Sequence, residues 1–200
     1  MSISLSKGQG ISLSKTAGST LSRVKLGVGW DAVQAPPKKG FFAKLTGGGG
    51  PTDIDLDASC VLYDGSGRRV DAVWFGQLTS KDGSVRHSGD NLTGEGEGDD
   101  ESILVDLAAL PAEVQTLVLT VSSFRGQTFD EVENAFARLV DEGSGKELAR
   151  YSLTEQGAHT GMIMAALKRG TAGDWELKAL GERATGRTVD DLEQAIRPLL

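Results

Sequence analysis

Short runs of alternating or β-branched residues, each closed by a glycine-containing turn, recur along the whole chain. Residues 55–63 form one such run before a turn at residues 64–67, and residues 116–124 form another that is rich in β-branched side chains. Strands favour such runs, whereas turns favour glycine because it tolerates positive φ. The chain has 27 glycines in 200 residues, well above the average share of about 7%. The pattern predicts an all-β fold, specifically a two-sheet β-sandwich with short helical turns.

Two near copies of one short segment open the chain, at residues 3–7 and 11–15, with Gly8-Gln9-Gly10 between them. Each copy alternates apolar and polar residues, as a half-buried strand does. Because the intervening glycines can supply a tight turn, the pair predicts an N-terminal β-hairpin.

The last third of the chain predicts both helical and strand structure. Thr128 and Glu131 form a capping-box pair, which predicts a short helical turn over residues 128–134. Two apolar runs then flank the turn residues 142–145, which predicts a hairpin. Thr188 predicts the cap of a C-terminal helix. The apolar face of that helix would consist of Val189, Leu192, Ile196 and Leu199.

Residues 34–52 differ in character from the rest of the chain. They are bounded by Pro36-Pro37 and by the glycines and proline of residues 47–51, which cannot continue a central strand. We therefore expect a single domain over residues 1–200 with an inserted flexible loop at about residues 34–52. Two interpretations fit the middle of this loop. Its two phenylalanines pack onto the rest of the domain, or its basic and aromatic residues contact an anionic partner or a membrane surface. Its basic and aromatic residues are Lys38, Lys39, Phe41, Phe42 and Lys44.

Charge and cysteine usage narrow the class of protein. The formal net charge of −7 disfavours nucleic acid as a partner, because nucleic-acid binding needs clustered Lys and Arg. The single cysteine, Cys60, cannot form an internal disulfide, which suits a reducing compartment. We expect no transmembrane segment, since no apolar run approaches the roughly 20 residues that cross a bilayer, and the N-terminus does not resemble a secretory signal. The expected location is the cytoplasm.

Residues 89–101 form the most unusual segment of the chain, because they carry six acids and four glycines without a basic residue. Two carboxylates about 4 Å apart repel by roughly 1 kcal/mol in water, and by more near a protein surface. A hard cation such as Ca²⁺ converts that repulsion into attraction, although a solvated acidic loop is the alternative. The spacing excludes an EF-hand, since Glu95 stands where that loop requires glycine.

A second acidic group precedes and enters the predicted strand at residues 55–63. Asp53, Asp55 and Asp57 are spaced by two, so on a strand they would project from one face. Three carboxylates on one face favour either full solvation or a bound cation. Asp31, which follows the predicted strand ending at Trp30, could join them. Together the two groups predict a metal site.

Signals for enzymatic chemistry are weak by comparison. The chain has two histidines, His87 and His159, and no HExxH or CxxC spacing. We interpret His87 as a surface histidine and Cys60 as a buried packing residue. A metal-dependent hydrolase that uses the acidic loop is the remaining enzyme hypothesis.

The chain resembles the bacterial tellurium-resistance (TerD) family. The resemblance is carried by Gly29-Trp30-Asp31, by Asp55-Leu56-Asp57-Ala58-Ser59, and above all by Gly89-Asp90-Asn91-Leu92-Thr93-Gly94 through Gly98-Asp99-Asp100-Glu101. It implies a β-sandwich that binds Ca²⁺ through acidic loops, takes part in tellurite resistance and stress responses, and has no established enzymatic activity. The insertion at residues 34–52 departs from the compact form of the family, in which Asp31 lies closer to the Asp-Leu-Asp strand.

The resemblance also implies a ligand set, with two Ca²⁺ ions expected. The side chains expected first are Asp90, Asn91, Asp99, Asp100 and Glu101, followed by Asp55 and Asp57, and then by Glu95, Glu97 and Asp31. Other stress-response or membrane-associated proteins are the expected partners. Three hypotheses follow: a non-catalytic Ca²⁺-binding stress protein, a Ca²⁺-assisted binder of a small ligand such as a cyclic nucleotide, and a metal-dependent hydrolase.

Overall fold

The computed structural model describes residues 2–18, 21–32, 54–89, 98–153, 156–171 and 173–200, and the described part consists mainly of β-strands. The inserted segment at residues 34–52 lies outside the described residues. The strands are β1 (Ile3–Leu5), β2 (Gly10–Ser12), β3 (Arg23–Ala32), β4 (Asp57–Asp64), β5 (Arg69–Val73), β6 (Val85–His87), β7 (Glu101–Asp106), β8 (Val114–Ser122), β9 (Val132–Asp141), β10 (Lys146–Ser152), β11 (Gly161–Arg169) and β12 (Trp175–Ala184). The α-helical segments are α1 (Leu13–Ala17) and α2 (Glu193–Ile196), and single 3₁₀ turns span Phe129–Glu131 and Arg197–Leu199.

The strands form two six-stranded sheets, as the predicted sandwich requires. Sheet A has the order β1-β10-β9-β3-β7-β6, and sheet B has the order β2-β12-β11-β8-β4-β5. One apolar core contains buried residues from both sheets. Sheet A contributes, for example, Leu26, Val105 and Leu139, and sheet B contributes Leu62, Leu117 and Leu177. The all-β sandwich prediction is therefore confirmed.

The C-terminal segment covers the other face of sheet B. Val61, Val118 and Ile163 on that face pack with Leu192 and Ile196 in a second apolar cluster. The central strands of sheet B are thus buried on both faces, which explains why they are nearly continuous in apolar residues. The predicted apolar face of the C-terminal helix is largely buried, but α2 begins only at Glu193, well after the predicted cap at Thr188.

The N-terminal hairpin prediction is wrong. β1 pairs in parallel with β10 at the edge of sheet A, whereas β2 pairs antiparallel with β12 at the edge of sheet B. The second copy does not continue as a strand, because the Ser12 side chain accepts a hydrogen bond from the Lys15 N–H and caps α1. The two copies therefore extend one edge of each sheet and do not pair with each other.

The predicted helical turn and hairpin in the last third are both present. The turn at Phe129–Glu131 carries the expected capping box between Thr128 and Glu131. β9 follows at once and pairs antiparallel with β10. The strand begins inside the range predicted to be helical, because Val132 and Ala135 bury their side chains in the sandwich.

Candidate functional site

The described candidate ligands come from both sheets and meet at one end of the sandwich. β3 and β8 end there, while β4 and β7 begin there. Ordinary antiparallel pairing brings these termini together, since Glu101 lies opposite Val28 and Asp57 lies opposite Ser122. The fold thus brings together acids that are far apart in the sequence.

Residues 98–100 extend β7 and lie against β3. The Asp100 N–H donates to the Val28 carbonyl oxygen at 2.9 Å, and the Trp30 N–H donates to Asp100 Oδ2 at 2.8 Å. This approach requires glycine on β3. A Cβ at Gly29 would lie 2.7 Å from the Gly98 carbonyl oxygen, which is too close for two unbonded atoms.

Asp99 is neutralised by two cations of sheet A. Its Oδ1 accepts a hydrogen bond of 2.5 Å from Arg138 Nε, and Lys25 Nζ lies 2.9 Å from Oδ2. The contact with Lys25 is an ion pair by distance, without hydrogen-bond geometry. The hydrogen bond from Arg138 to Asp99 raises the pKa of that guanidinium. Although Asp99 was predicted as a metal ligand, its described contacts anchor the 98–100 segment to β3 and β9.

Glu101 and His87 form a buried link between the sheets. The Ala58 N–H donates to Glu101 Oε2 at 2.7 Å, while His87 Nε2 lies 3.3 Å from the same oxygen and 3.1 Å from the Ala58 carbonyl oxygen. The Gly89 N–H donates to His87 Nδ1 at 3.0 Å. These contacts favour a neutral ring with its proton on Nε2.

The prediction that His87 is a surface residue is wrong, because its side chain is fully buried. It lies two positions after Val85 on β6 and shares that residue's inward-facing side. Burial acts to lower the pKa of His87, but the hydrogen bond to Glu101 and that residue's negative charge act against it, and the net pKa is raised. Protonation would cost the ring its hydrogen bond from Gly89.

Asp55 and Asp57 lie next to the turn that follows β8. Arg125 Nε lies 2.9 Å from Asp55 Oδ2, and the Phe124 N–H donates to Asp57 Oδ2 at 3.3 Å. Both carboxylates are buried. Asp57 is the first residue of β4, whereas Asp55 precedes that strand.

Asp31 is held by an asparagine in an unusual backbone conformation. Asn134 Nδ2 donates to Asp31 Oδ2 at 2.8 Å. Asn134 has a φ of 52°, and no other non-glycine residue in the described part of the chain has a positive φ. An irregularity in the β3–β9 pairing lies between Gly29 and Asp31. Backbone strain of this kind costs about 1–3 kcal/mol and tends to persist at functional sites.

Asp31 and Asp100 open onto the same groove, which has a volume of about 560 Å³. Trp30, Asn134 and Arg150 also line it. Burial raises the pKa of Asp100, and the negative charges of Asp31, Asp99 and Glu101 raise it further, while the Trp30 N–H acts in the opposite direction. Burial is the main cause of the increase, and the three neighbouring carboxylates add to it.

The remaining predicted ligands cannot be placed. Asp90, Asn91, Glu95 and Glu97 lie outside the described residues, as does Asp53. Among the residues that the structure does describe, no group of three or more His, Cys, Asp or Glu side chains is arranged to hold a metal ion. Asp31 and Asp100 offer oxygen donors, which are the ligands that Ca²⁺ prefers, but fewer than the roughly six to eight that it takes. The donor chemistry of these two side chains fits a hard cation.

Sequence reasoning missed Lys25, Arg138 and Asn134 at this site. Lys25 and Arg138 alternate with buried residues on β3 and β9, as exposed strand residues ordinarily do, so nothing in the sequence marked them. Asn134 tolerates positive φ better than most residues, but this propensity alone predicts no particular contact.

Two further features bear on function. Cys60 is fully buried in β4, and burial raises the pKa of its thiol to about 12. Its nucleophilic thiolate form is therefore suppressed at neutral pH.

Within the described part of the chain, no helix has the length and apolar character needed to cross a lipid bilayer.

The sequence matches known proteins over nearly its whole length. The family profile described as the TerD domain matches residues 1–194. The chain is 54% identical over 194 residues to the Tellurium resistance protein TerZ of Serratia marcescens, an alignment that covers 97% of this chain and 96% of that protein. It is 40% identical over 200 residues to the Stress response protein SCP2 of Bacillus subtilis (strain 168), with coverage of 96% and 98%.

A solved structure has the same fold. The crystal structure of a homologue of telluride resistance protein (TerD) from Streptomyces coelicolor A3(2) superposes with a TM-score of 0.67, covering 86% of this chain and 95% of that chain. The sequence identity of the pair is 22%, so this likeness bears on the fold alone.

Proposed function

The chain belongs to the TerD family of tellurium-resistance and stress-response proteins, and from that premise we propose that it is a non-catalytic, cytoplasmic Ca²⁺-binding protein. Its metal centre would lie at the acidic end of the sandwich. Ca²⁺ would order the segment at residues 89–101 against β3 and β4. The protein would act in the stress response through this ordering and the surface that it creates.

One observation carries the proposal: Asp31 and Asp100 open onto one groove, where burial and, to a smaller extent, the negative charges of neighbouring carboxylates raise the pKa of Asp100. A divalent cation would offset that repulsion and favour ionised carboxylates. When bound, Ca²⁺ would supply positive charge and an oxygen-coordinating centre.

The described contacts assign different tasks to the predicted ligands. Asp31 and Asp100 are the first candidates for contact with the ion. Asp99 and Glu101 would position the segment, because they already contact Arg138 and Ala58 respectively. Asp55 and Asp57 hold the turn after β8 and would contribute negative charge from the other sheet. This division predicts that Asp31→Asn and Asp100→Asn lower Ca²⁺ affinity more than they lower stability without the metal.

Calorimetric titration with Ca²⁺, and with Mg²⁺ as a comparison, tests the proposal. Ca²⁺ at 100 times its Kd should raise the free energy of unfolding by about 2.7 kcal/mol. The double variant Asp31→Asn/Asp100→Asn should lose most of this gain. Glu113→Gln removes the same type of charge from an exposed residue in the turn before β8, at the opposite end of the sandwich, and should keep the full gain. Absence of Ca²⁺ binding by the unaltered protein would refute the proposal.

The groove itself favours a second candidate function, Ca²⁺-assisted binding of a small ligand such as a cyclic nucleotide. Arg150 lies over the Phe136 ring at 4.1 Å, and both line the groove beside Asp31 and Asp100. An anionic ligand could thus meet a guanidinium on one side and the bound ion on the other. Titration of cyclic AMP with and without Ca²⁺ separates this function from Ca²⁺ binding alone.

A further inference from the structure

The C-terminal segment lies on the outer face of sheet B without joining the sheet. We call residues 187–200 the C-terminal cover. In the described part of the chain, its backbone–backbone hydrogen bonds are internal, for example from the Ile196 N–H to the Leu192 carbonyl oxygen at 3.1 Å. No such bond joins the cover to a described strand. The cover is therefore attached through side chains, and it can separate from sheet B without breaking the pairing of any strand.

The cover begins at the bond between Gly186 and Arg187, which has a group of hydrogen bonds on each side. Before that bond, the Gly186 N–H donates to Thr160 Oγ1 at 3.1 Å, and Thr160 Oγ1 donates to the Gly186 carbonyl oxygen at 2.9 Å. After it, Asp191 Oδ2 accepts from the N–H groups of Arg187 and Thr188 at 2.9 and 3.0 Å. The chain before the bond is thus tied to the body, whereas the chain after it is tied within the cover.

The attachment of the cover combines apolar burial with polar contacts. Three side chains of the cover are buried in the apolar cluster on sheet B, namely Val189, Leu192 and Ile196. Beside them, the Tyr63 hydroxyl donates to Glu193 Oε2 at 2.8 Å, and Arg69 Nη1 lies 2.5 Å from Asp190 Oδ1. We call these two polar contacts the latch. Burial and the hydrogen bond to Glu193 raise the pKa of Tyr63, so its hydroxyl remains a donor at neutral pH.

A buried hydroxyl disfavours the closed position of the cover. Thr120 is 0% exposed, and its Oγ1 has no hydrogen-bond partner among the described residues. It lies two positions after Val118 on β8 and opposite Ile163 on β11, and both of these residues pack in the cluster beneath the cover. A buried hydroxyl without a partner costs free energy, and lifting the cover would hydrate it.

We propose that the C-terminal cover opens as a unit and exposes the outer face of sheet B while both sheets remain folded. The latch favours the closed position, and the Thr120 hydroxyl favours the open one. The exposed face would include Val61, Val118 and Ile163, an apolar surface that the closed protein hides. Cys60 belongs to the core between the sheets, so it would stay buried in the open form. This conformational change is independent of the proposed Ca²⁺ binding.

Amide hydrogen exchange, followed by NMR in EDTA at several low urea concentrations, tests the proposal. A four-residue helix such as α2 is unstable alone in water, so lifting the cover should release its amides. Those of Asp191, Ala195 and Ile196 should exchange with one shared opening constant. That constant should depend weakly on urea, because the opening exposes a small area. Amides of β8 and β11 should instead show the steep urea dependence of global unfolding.

Two substitutions with opposite expected effects test the latch and the buried hydroxyl. Tyr63→Phe removes the hydrogen bond to Glu193 and should raise the exchange rates of the three cover amides roughly fivefold. Thr120→Val removes the hydroxyl at nearly constant volume and should lower those rates roughly fivefold. Thr79→Val makes the same chemical change at an exposed residue beside β6 and should leave the rates unchanged.

Three outcomes would contradict the proposal. Cover amides that exchange only through global unfolding would refute a separate opening. Rates that increase stepwise from Asp191 to Ile196 would indicate fraying of α2 and would refute opening as a unit. Equal rates in Thr120→Val and the unaltered protein would refute the effect assigned to the hydroxyl. Melting curves should show that each variant is folded. If Tyr63→Phe is not, Glu193→Ala removes the same hydrogen bond from the side of the cover and should also raise the rates.

Discussion

At the residue scale, the site depends on a few unusual backbone and side-chain positions. Gly29 is needed because the Gly98 carbonyl oxygen and the Phe136 ring occupy the space that a Cβ would take. Asn134 is needed because it combines a left-handed backbone with an amide that reaches Asp31. Each residue acts on a neighbour from another strand, so its role is visible only in the folded chain.

Substitution of Asn134 separates its backbone role from its side-chain role. Asn134→Gly keeps the left-handed conformation and removes the hydrogen bond to Asp31, so Ca²⁺ affinity should fall roughly fivefold, as expected for about 1 kcal/mol. Asn134→Ala should reduce Ca²⁺ affinity to a similar extent. It should also lower the free energy of unfolding by about 1–2 kcal/mol, because alanine is strained at positive φ. Calorimetry and denaturant unfolding measure the two effects. Unchanged Ca²⁺ affinity in Asn134→Gly would show that Asp31 needs no positioning.

At the scale of elements, hydrogen bonds from side chains to Glu147 help to hold the short strand β1 and its neighbours together. Glu147 on β10 accepts hydrogen bonds from Ser2, which precedes β1, from Arg138 on β9 and from Arg150 on its own strand. β1 has only three residues, so its docking at the edge of sheet A depends partly on such contacts. Arg138 extends the same network to Asp99 and thereby to the candidate site.

This network predicts a pH dependence of stability. The hydrogen bond from Arg150, with further ones from Ser2 and Arg138, lowers the pKa of Glu147 from 4.5 to about 2, although burial acts in the opposite direction. A lowered pKa means that the stabilisation is complete above pH 4.5 and is lost as the pH falls toward 2.

Glu147→Gln should therefore cost about 2 kcal/mol at pH 7, and the difference from the unaltered protein should shrink in acid. Urea unfolding at a series of pH values measures the difference. Glu113→Gln, at an exposed carboxylate, is the matched control and should show no such trend. A cost of Glu147→Gln that stays constant down to pH 2 would contradict this account of Glu147.

At the scale of the whole molecule, the packed sheets keep dissolved reagents away from the residues in the interior. β4 lies between β5 and β8 in sheet B, and apolar clusters cover both of its faces. Cys60 at its centre is completely buried. A direct reaction of this thiol with an oxyanion such as tellurite would require the sheet to open.

Thiol labelling measures that opening. Cys60 should react with a thiol reagent only through global unfolding, so its labelling rate should rise with denaturant as steeply as unfolding does. A surface thiol introduced by Glu142→Cys in the β9–β10 turn should label at once in the folded protein and serves as the control. Rapid labelling of Cys60 that is independent of denaturant would reveal a local opening of sheet B.

Some parts of the chain fold as their local sequence predicts, whereas others do not. Strands with strong alternation or β-branched content, such as β8 and β12, were predictable because local periodicity reflects which faces are buried. The N-terminal hairpin was mispredicted because two short strands with similar sequences can pair with different partners. The prediction of a surface His87 is wrong because β6 turns every second side chain inward, and His87 follows the buried Val85 by two positions.

The sequence by itself determined the class of fold, the buried faces of the main strands, the family and the acidic character of residues 89–101. The fold class, the buried faces and the acidic character follow from composition and local periodicity, which are properties of neighbouring residues, whereas the family follows from the resemblance of its motifs. Only the tertiary structure decided that Asp99 is paired with Lys25 and Arg138, that Glu101 links the sheets, and that Asp31 and Asp100 share a groove. Charge pairing depends on distances between residues of different strands, and those distances are set only when the two sheets pack together.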